Sequence, residues 1–248
     1  MYADGLTDVG KARSQNQDAI FVSPKRIGPL PNLFMVADGM GGHNAGDVAS
    51  RQAIKRVSAY IRDFPAAYFV QPENYMDLLV NAAQHANVII NAYSQSVDGM
   101  DGMGTTFTAC VVVEGKAIIA HVGDSRVYSV SPMKITQITK DHTYVEELLQ
   151  SGKVSEEEAR VHPKRHVLTR VMGVAHICEI DGIVCPLAET LTLLLCSDGL
   201  SNMLEDEVMM KIVNRKGTAE ERVRYLVDEA NRMGRQDNIS AILIDVGR

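Results

Sequence analysis

The chain predicts an α+β fold from three observations: recurring β-branched apolar runs, a hairpin signal between two of them, and paired amphipathic helical patterns that interrupt the strands. A doubly wound parallel sheet would instead show regular alternation of strand and helix.

The apolar runs at 33–37, 106–113, 117–122, 191–196 and 239–246 read as strands. Glu114 and Gly115 separate the second from the third and suit a tight antiparallel turn. Two helices are expected between the first and second runs. Around 45–61, Ala53, Ile54, Val57, Tyr60 and Ile61 fall on one side. In the next, Tyr75, Leu78, Leu79, Ala82, Ala83, Ala86, Ile89, Ile90 and Tyr93 form a continuous stripe. A third helix opens at Thr218, where Glu221 completes a capping box, and buries Val223, Leu226, Val227 and Ala230. Residues 141–176 are polar and irregular, with two short helical patterns, one of which Ser155 and Glu158 can cap. They read as an insertion on the surface of a single domain spanning 1–248.

Composition excludes several classes. A net charge of −6 argues against wholesale binding to nucleic acid or an anionic membrane. No apolar run approaches the roughly 18–20 residues that span a bilayer. The first residues, Met1, Tyr2, Ala3, Asp4 and Gly5, lack the basic and apolar regions of a secretory signal, so a cytoplasmic location is expected. Cys110, Cys178, Cys185 and Cys196 form no C-x-x-C pair and are expected as reduced thiols, Cys110 and Cys196 buried.

The aspartates carry the chemistry. Asp38 and Asp198 each follow an apolar run and precede a glycine; Asp124 follows Ile118 through Gly123; Asp18 precedes the apolar Ala19–Val22 stretch; Asp237 precedes the last run. A lone Asp-Gly is ordinarily a turn. Several carboxylates gathered at strand ends would repel one another unless protons or cations neutralise them. All-oxygen donors suit Mg²⁺ or Mn²⁺ better than zinc. Two such ions about 3.5–4 Å apart can share and acidify a water and clamp a phosphoryl oxygen. Arg13, near Asp18, carries a guanidinium fork that matches a phosphate dianion.

In chain order the sequence contains Thr7-Asp8-Val9-Gly10 with Arg13 and Asn16-Gln17-Asp18, then Ala37-Asp38-Gly39-Met40-Gly41-Gly42-His43 and Gly104-Thr105-Thr106. Val122-Gly123-Asp124-Ser125-Arg126, Ser197-Asp198-Gly199-Leu200 and Asp237-Asn238-Ile239 follow. This set, spread over nearly the whole chain, resembles the PPM family, the type 2C metal-dependent serine/threonine protein phosphatases, in its bacterial form.

The resemblance implies two central antiparallel β-sheets packed as a sandwich and flanked by antiparallel helix pairs, with residues 141–176 as a flap. It implies Asp38 bridging two ions, Asp198 and Asp237 holding the first, and the Gly39 carbonyl with Asp18 holding the second, directly or through water. Arg13 would bind substrate phosphate. Asp124 with Asp198 would hold a third, weaker ion; alternatively Asp124 orders its own turn or pairs with Arg126. His43 matches a family general acid, although Met40, Gly41 and Gly42 lengthen the turn before it, and a loop-stabilising role is the alternative. His121, inside an apolar strand, is expected as a satisfied core or supporting residue. The flap has Asp141-His142-Thr143 and His162-Pro163-Lys164-Arg165, with His166 where the family commonly has Asn. Arg160, Lys164, Arg165 and Arg170 are either a solvated basic loop or an attractor for phosphorylated peptides. Expected partners are phosphorylated proteins, among them a cognate serine/threonine kinase; a monomer is expected. Two other readings compete. A catalytically silent binding module would lack ligands, and none is missing. A cation-stabilised structural protein would leave Arg13 and the flap without a role.

Overall fold

The computed structural model describes residues 1–42, 45–65, 74–234 and 237–247. In chain order the strands are β1 (Tyr2–Asp8), β2 (Asp18–Ser23), β3 (Leu33–Met40), β4 (Gly104–Thr105), β5 (Phe107–Val113), β6 (Lys116–Val122), β7 (Arg126–Val130), β8 (Ile135–Gln137), β9 (Asp181–Pro186), β10 (Thr192–Cys196) and β11 (Ile239–Asp245). The helices are α1 (Ala45–Asp63), α2 (Asn74–Ser96), α3 (Tyr144–Gln150), α4 (Glu156–Val161), α5 (Asp198–Ser201), α6 (Asp206–Val213) and α7 (Ala219–Arg232).

One sheet has the order β1-β11-β10-β7-β8; the other runs β2-β3-β5-β6-β9, with β4 beside β3. Every pairing is antiparallel. The sheets face each other across Phe34, Val36, Cys110, Ile119, Leu193, Leu195, Ile242 and Ile244. Helices α1 and α2 cover the outside of the second sheet, and α6 and α7 cover the outside of the first. The layers are therefore helix, sheet, sheet, helix, the expected α+β sandwich.

This layering explains the unbroken apolar runs. In β10, Leu193 and Leu195 point between the sheets while Leu194 and Cys196 point at α6 and α7. Both faces of the strand are covered, so alternation gives no polar side chain. Burying each such leucine contributes about 1.5–3 kcal/mol. By contrast, β9 is an edge strand with exposed and half-buried residues in alternation, and β1 is half-buried after its exposed first residue, Tyr2. Their mixed composition hid them from the hydrophobic pattern.

The hairpin turn is present: Glu114 and Gly115 have φ of 48° and 70°, both left-handed, and join β5 to β6. Both capping boxes form, at Ser155 with Glu158 and at Thr218 with Glu221. The first run extends further than its apolar letters suggest. Strand β3 continues to Met40, so Asp38 and Gly39 lie inside a strand rather than after one. Among the described residues, no helix is long and apolar enough to cross a membrane, and Cys110, Cys178, Cys185 and Cys196 are free thiols.

Candidate active site

The site is assembled where the ends of the two sheets meet. Register puts Asp18 at the start of β2 directly opposite Asp38 on β3. Asp198 opens α5 just beyond β10, and Asp237 immediately precedes Asn238 and β11. One side chain ties the sheets together: Asp18 Oδ2 accepts hydrogen bonds from the Ser197 hydroxyl at 2.8 Å and the Ser240 hydroxyl at 2.7 Å. Ser197 directly follows β10 and Ser240 lies on β11, so a carboxylate from one sheet is held by hydroxyls on and beside the strands of the other.

The two Asp-Gly pairs are not turns. Neither Gly39 nor Gly199 has a positive φ. Each is required by a close backbone approach instead. A Cβ on Gly39 would lie 2.0 Å from the Gly46 carbonyl oxygen in the first turn of α1, and one on Gly199 would lie 1.7 Å from the Asn238 carbonyl oxygen. These glycines let α1 press against β3 and α5 press against the start of β11, which brings the adjacent Asp38 and Asp198 into one site.

Asn238 supports the loop carrying Arg13. Its Oδ1 accepts from the Gln17 backbone N–H, and its Nδ2 donates to the carbonyls of Val9 and Gln15, each at 2.8–2.9 Å. Arg13 in turn donates from Nε and Nη2 to the two carboxylate oxygens of Asp237, both at 3.1 Å. The sequence showed Asn238 and Ser197 only as motif letters, and Ser240 carried no signal. Their roles depend on partners far away in the chain.

Asp124 lies between β6 and β7, beside a cavity of about 770 Å³ that Asp198 also lines. Arg160 and Arg165 of the flap line it together with the acidic Glu205 and Asp206. Arg126 does not pair with Asp124. It forms a bidentate ion pair with Asp141, at 2.7–3.1 Å, and donates to the Tyr128 hydroxyl. The basic flap segment divides in the same way. Arg170 is paired with Glu179 and Asp181, and Lys164 sits 5.2 Å over the Tyr144 ring, whereas Arg160 and Arg165 line the cavity. His121 is a satisfied core residue. Its Nε2 donates to the Lys140 carbonyl, its Nδ1 accepts from Thr108, and burial lowers its pKa to about 4. His43 lies outside the described residues.

The donor set fits hard divalent cations. Burial, followed by the charges of Asp18, Asp198, Asp124 and Asp237, raises the Asp38 pKa well above the carboxylate range. Burial likewise pushes Asp18 up to about 7 against the pull of its two serine hydroxyls, and Asp124 up to about 8 with Asp198 adding to the effect. Asp18 Oδ1 is buried with no hydrogen-bond partner. A buried anionic oxygen of this kind is costly unless a cation or proton meets it. No three His, Cys, Asp or Glu side chains among the described residues form a ready-made cage. Asp237 is turned toward Arg13, and the mutual repulsion of the others is the stronger indication of what they accommodate.

Residues 10–241 match the family model for protein phosphatase 2C. This chain belongs to the protein phosphatase 2C family. It is 38% identical over 245 residues to the serine/threonine phosphatase stp of Listeria monocytogenes, covering 99% of this chain and 96% of the relative. It is 32% identical over 241 residues to the protein phosphatase PhpP of Streptococcus pneumoniae, covering 97% and 96%. Among solved structures, Stp1 of Staphylococcus aureus superposes with a TM-score of 0.91 at 32% identity, covering 98% of this chain and 94% of that one. PstP/Ppp of Mycobacterium tuberculosis gives 0.85 at 30%, covering 99% and 98%. The chain is thus a serine/threonine protein phosphatase that acts on phosphorylated proteins, in a family whose activity depends on Mn²⁺ or Mg²⁺.

Proposed function

We propose that this protein phosphatase 2C hydrolyses phosphoserine and phosphothreonine at a binuclear Mg²⁺ or Mn²⁺ centre, and that it reverses the action of a serine/threonine kinase on shared substrates. The observation that carries the metal centre is the electrostatic conflict around Asp38, joined by the partnerless Asp18 Oδ1. Asp38 would bridge the ions, Asp198 and Asp237 would hold one, and Asp18 with the Gly39 carbonyl would hold the other. Bound there, the ions supply an acidified water and neutralise the phosphoryl oxygens. Residues 1–248 act as one catalytic domain, with 141–176 as a flap beside the cavity. The decisive experiment is hydrolysis of p-nitrophenyl phosphate and of a phosphothreonine peptide with Mn²⁺, with and without EDTA. Activity that survives chelation would overturn the metal centre.

Arg13 is the phosphate ligand in this arrangement. It is about half exposed and reaches Asp237 through a two-pronged contact, the same fork that a phosphate dianion accepts. Arg13→Ala should raise KM for substrate and weaken inhibition by inorganic phosphate, each by roughly 10-fold, the cost of a charged hydrogen bond. Calorimetric Mn²⁺ affinity should be retained, because a guanidinium offers no lone pair to a metal. An unchanged KM with a reduced kcat would move Arg13 from ground-state binding to stabilisation of the transition state.

Asp124, with Asp198, would hold a third ion. Two protein carboxylates leave such an ion mostly hydrated, so it should bind more weakly than the pair. Arg126 makes its close ion pair with Asp141, while its charge still acts on Asp124. Asp124→Ala should raise the Mn²⁺ concentration needed for half-maximal rate while two tighter sites persist in calorimetry. Full activity with unchanged metal dependence would make Asp124 a turn residue.

A further inference from the structure

The contacts of His142 form a unit that the catalytic roles above do not use. His142 is 7% exposed. It satisfies both backbone polar groups of Gly123, the residue immediately before Asp124. The His142 backbone N–H donates to the Gly123 carbonyl at 2.8 Å, and the Gly123 N–H donates to His142 Nδ1 at 3.1 Å. Gly123 has little freedom of its own: its φ is +107°, and a Cβ there would lie 2.6 Å from the Thr106 side chain.

The other ring nitrogen faces the start of β9. Nε2 lies 3.2 Å from Asp181 Oδ2, and Asp181 is also bound by Arg170. A backbone N–H can only donate, so Nδ1 is the accepting nitrogen and Nε2 carries the proton that goes to Asp181. The His142 carbonyl accepts from the Thr169 N–H, and the neighbouring Thr143 bridges Leu168, so this stretch anchors the far end of the flap.

We infer that His142 is a positioning residue for Asp124, gripping the Gly123–Asp124 backbone in one tautomer that Asp181 and Arg170 hold. This rests on the assignment of Asp124 to the third ion. Side chains that orient a metal ligand without touching the metal commonly change affinity by about 10–100-fold. The grip also couples that carboxylate to the flap, because His142 belongs to both.

The test uses the full chain. His142→Leu removes both ring contacts; His142→Asn keeps an acceptor near the Gly123 N–H and cannot reach Asp181; Asp181→Ala leaves the ring in place without its partner. The Leu variant should raise the half-saturating Mn²⁺ concentration by about 10-fold with KM for a phosphopeptide within about twofold. The Asn variant should recover most of that loss, and Asp181→Ala should shift it in the same direction as Leu. Calorimetry should show only the weakest site affected. In the Asp124→Ala background, His142→Leu should add less than about twofold, the signature of two residues acting as one. Nitrogen NMR of the metal-free wild type should show a bare Nδ1 and a protonated Nε2, which does not depend on activity.

Should His142→Leu fail to fold, the Asn and Asp181 variants and the NMR tautomer decide. An Nδ1-protonated ring, loss of the tight pair of ions, or equal losses with and without Asp124 would overturn the role of His142 alone. An Asp124→Ala protein with wild-type metal dependence would overturn the third-ion assignment and this inference together.

Discussion

Asp38→Asn should reduce turnover by at least about 10²-fold in a protein that still folds. The substitution keeps the side-chain shape and removes the charge that every neighbouring carboxylate meets. Asp38 is opposed by Asp18, Asp198, Asp124 and Asp237. Its backbone is held independently of its charge, since its N–H donates to Thr106 Oγ1 at 2.9 Å and its carbonyl accepts from the Thr105 hydroxyl and the Thr106 N–H. Loss of activity should therefore come with a native circular dichroism spectrum and with loss of both tight Mn²⁺ sites in calorimetry. Near-normal turnover in the folded variant would remove Asp38 from the bridging position.

The metal-free protein should lose stability as pH rises from about 4 to about 8. The sign follows from the direction of the shifts. Asp18 is raised from 3.8 to about 7, and Asp124 from 3.8 to about 8. In the unfolded chain both release their protons near pH 4, whereas the folded chain holds them. Across that window the native state binds more protons, so raising pH favours unfolding. His121, lowered from 6.5 to about 4 by burial, acts in the opposite sense below about pH 6.5, but its shift is smaller than those of the two carboxyls together. Glu229, whose pKa is lowered by Arg232, also opposes but is part-exposed and screened. In EDTA, Tm should fall by at least about 5 °C between pH 5 and pH 8, since roughly 2 kcal/mol moves a chain of this size by roughly 4–8 °C. Mn²⁺ at pH 8 should restore it, because a ligand that binds only the native state stabilises it. Asp38→Asn should flatten the slope by removing a further carboxyl that the folded chain holds protonated above its ordinary range. A metal-free Tm that is flat or rising over this range would show that the carboxylates are not in conflict.

Much of the fold could be read from local pattern. The stripes of α1, α2 and α7, the caps at Ser155 and Thr218 and the turn at Glu114 and Gly115 all depend on residues within a few positions of one another. Edge strands were less legible because β1, β8 and β9 have one open side and tolerate polar or small residues. Helix α6 was hidden for a different reason. It is short, and its buried face is only Met209, Ile212 and Val213.

For the site, the sequence alone determined which chemistry is available: oxygen donors bordering strands, a guanidinium near the first of them, and no thiol or imidazole pattern for a softer metal. That much survives because residue type is independent of fold. Only the tertiary structure decided who meets whom. Asp18 bonds Ser197 and Ser240 across separations of 179 and 222 residues. Gly39 and Gly199 admit the backbones of Gly46 and Asn238, partners that no local pattern names. Arg126 turns to Asp141 rather than Asp124, and Arg170 leaves the basic flap cluster for Glu179 and Asp181. These choices follow from how two sheets pack and where their ends converge. Periodicity along a chain records which face is buried, and holds no information about which distant residue will lie against it.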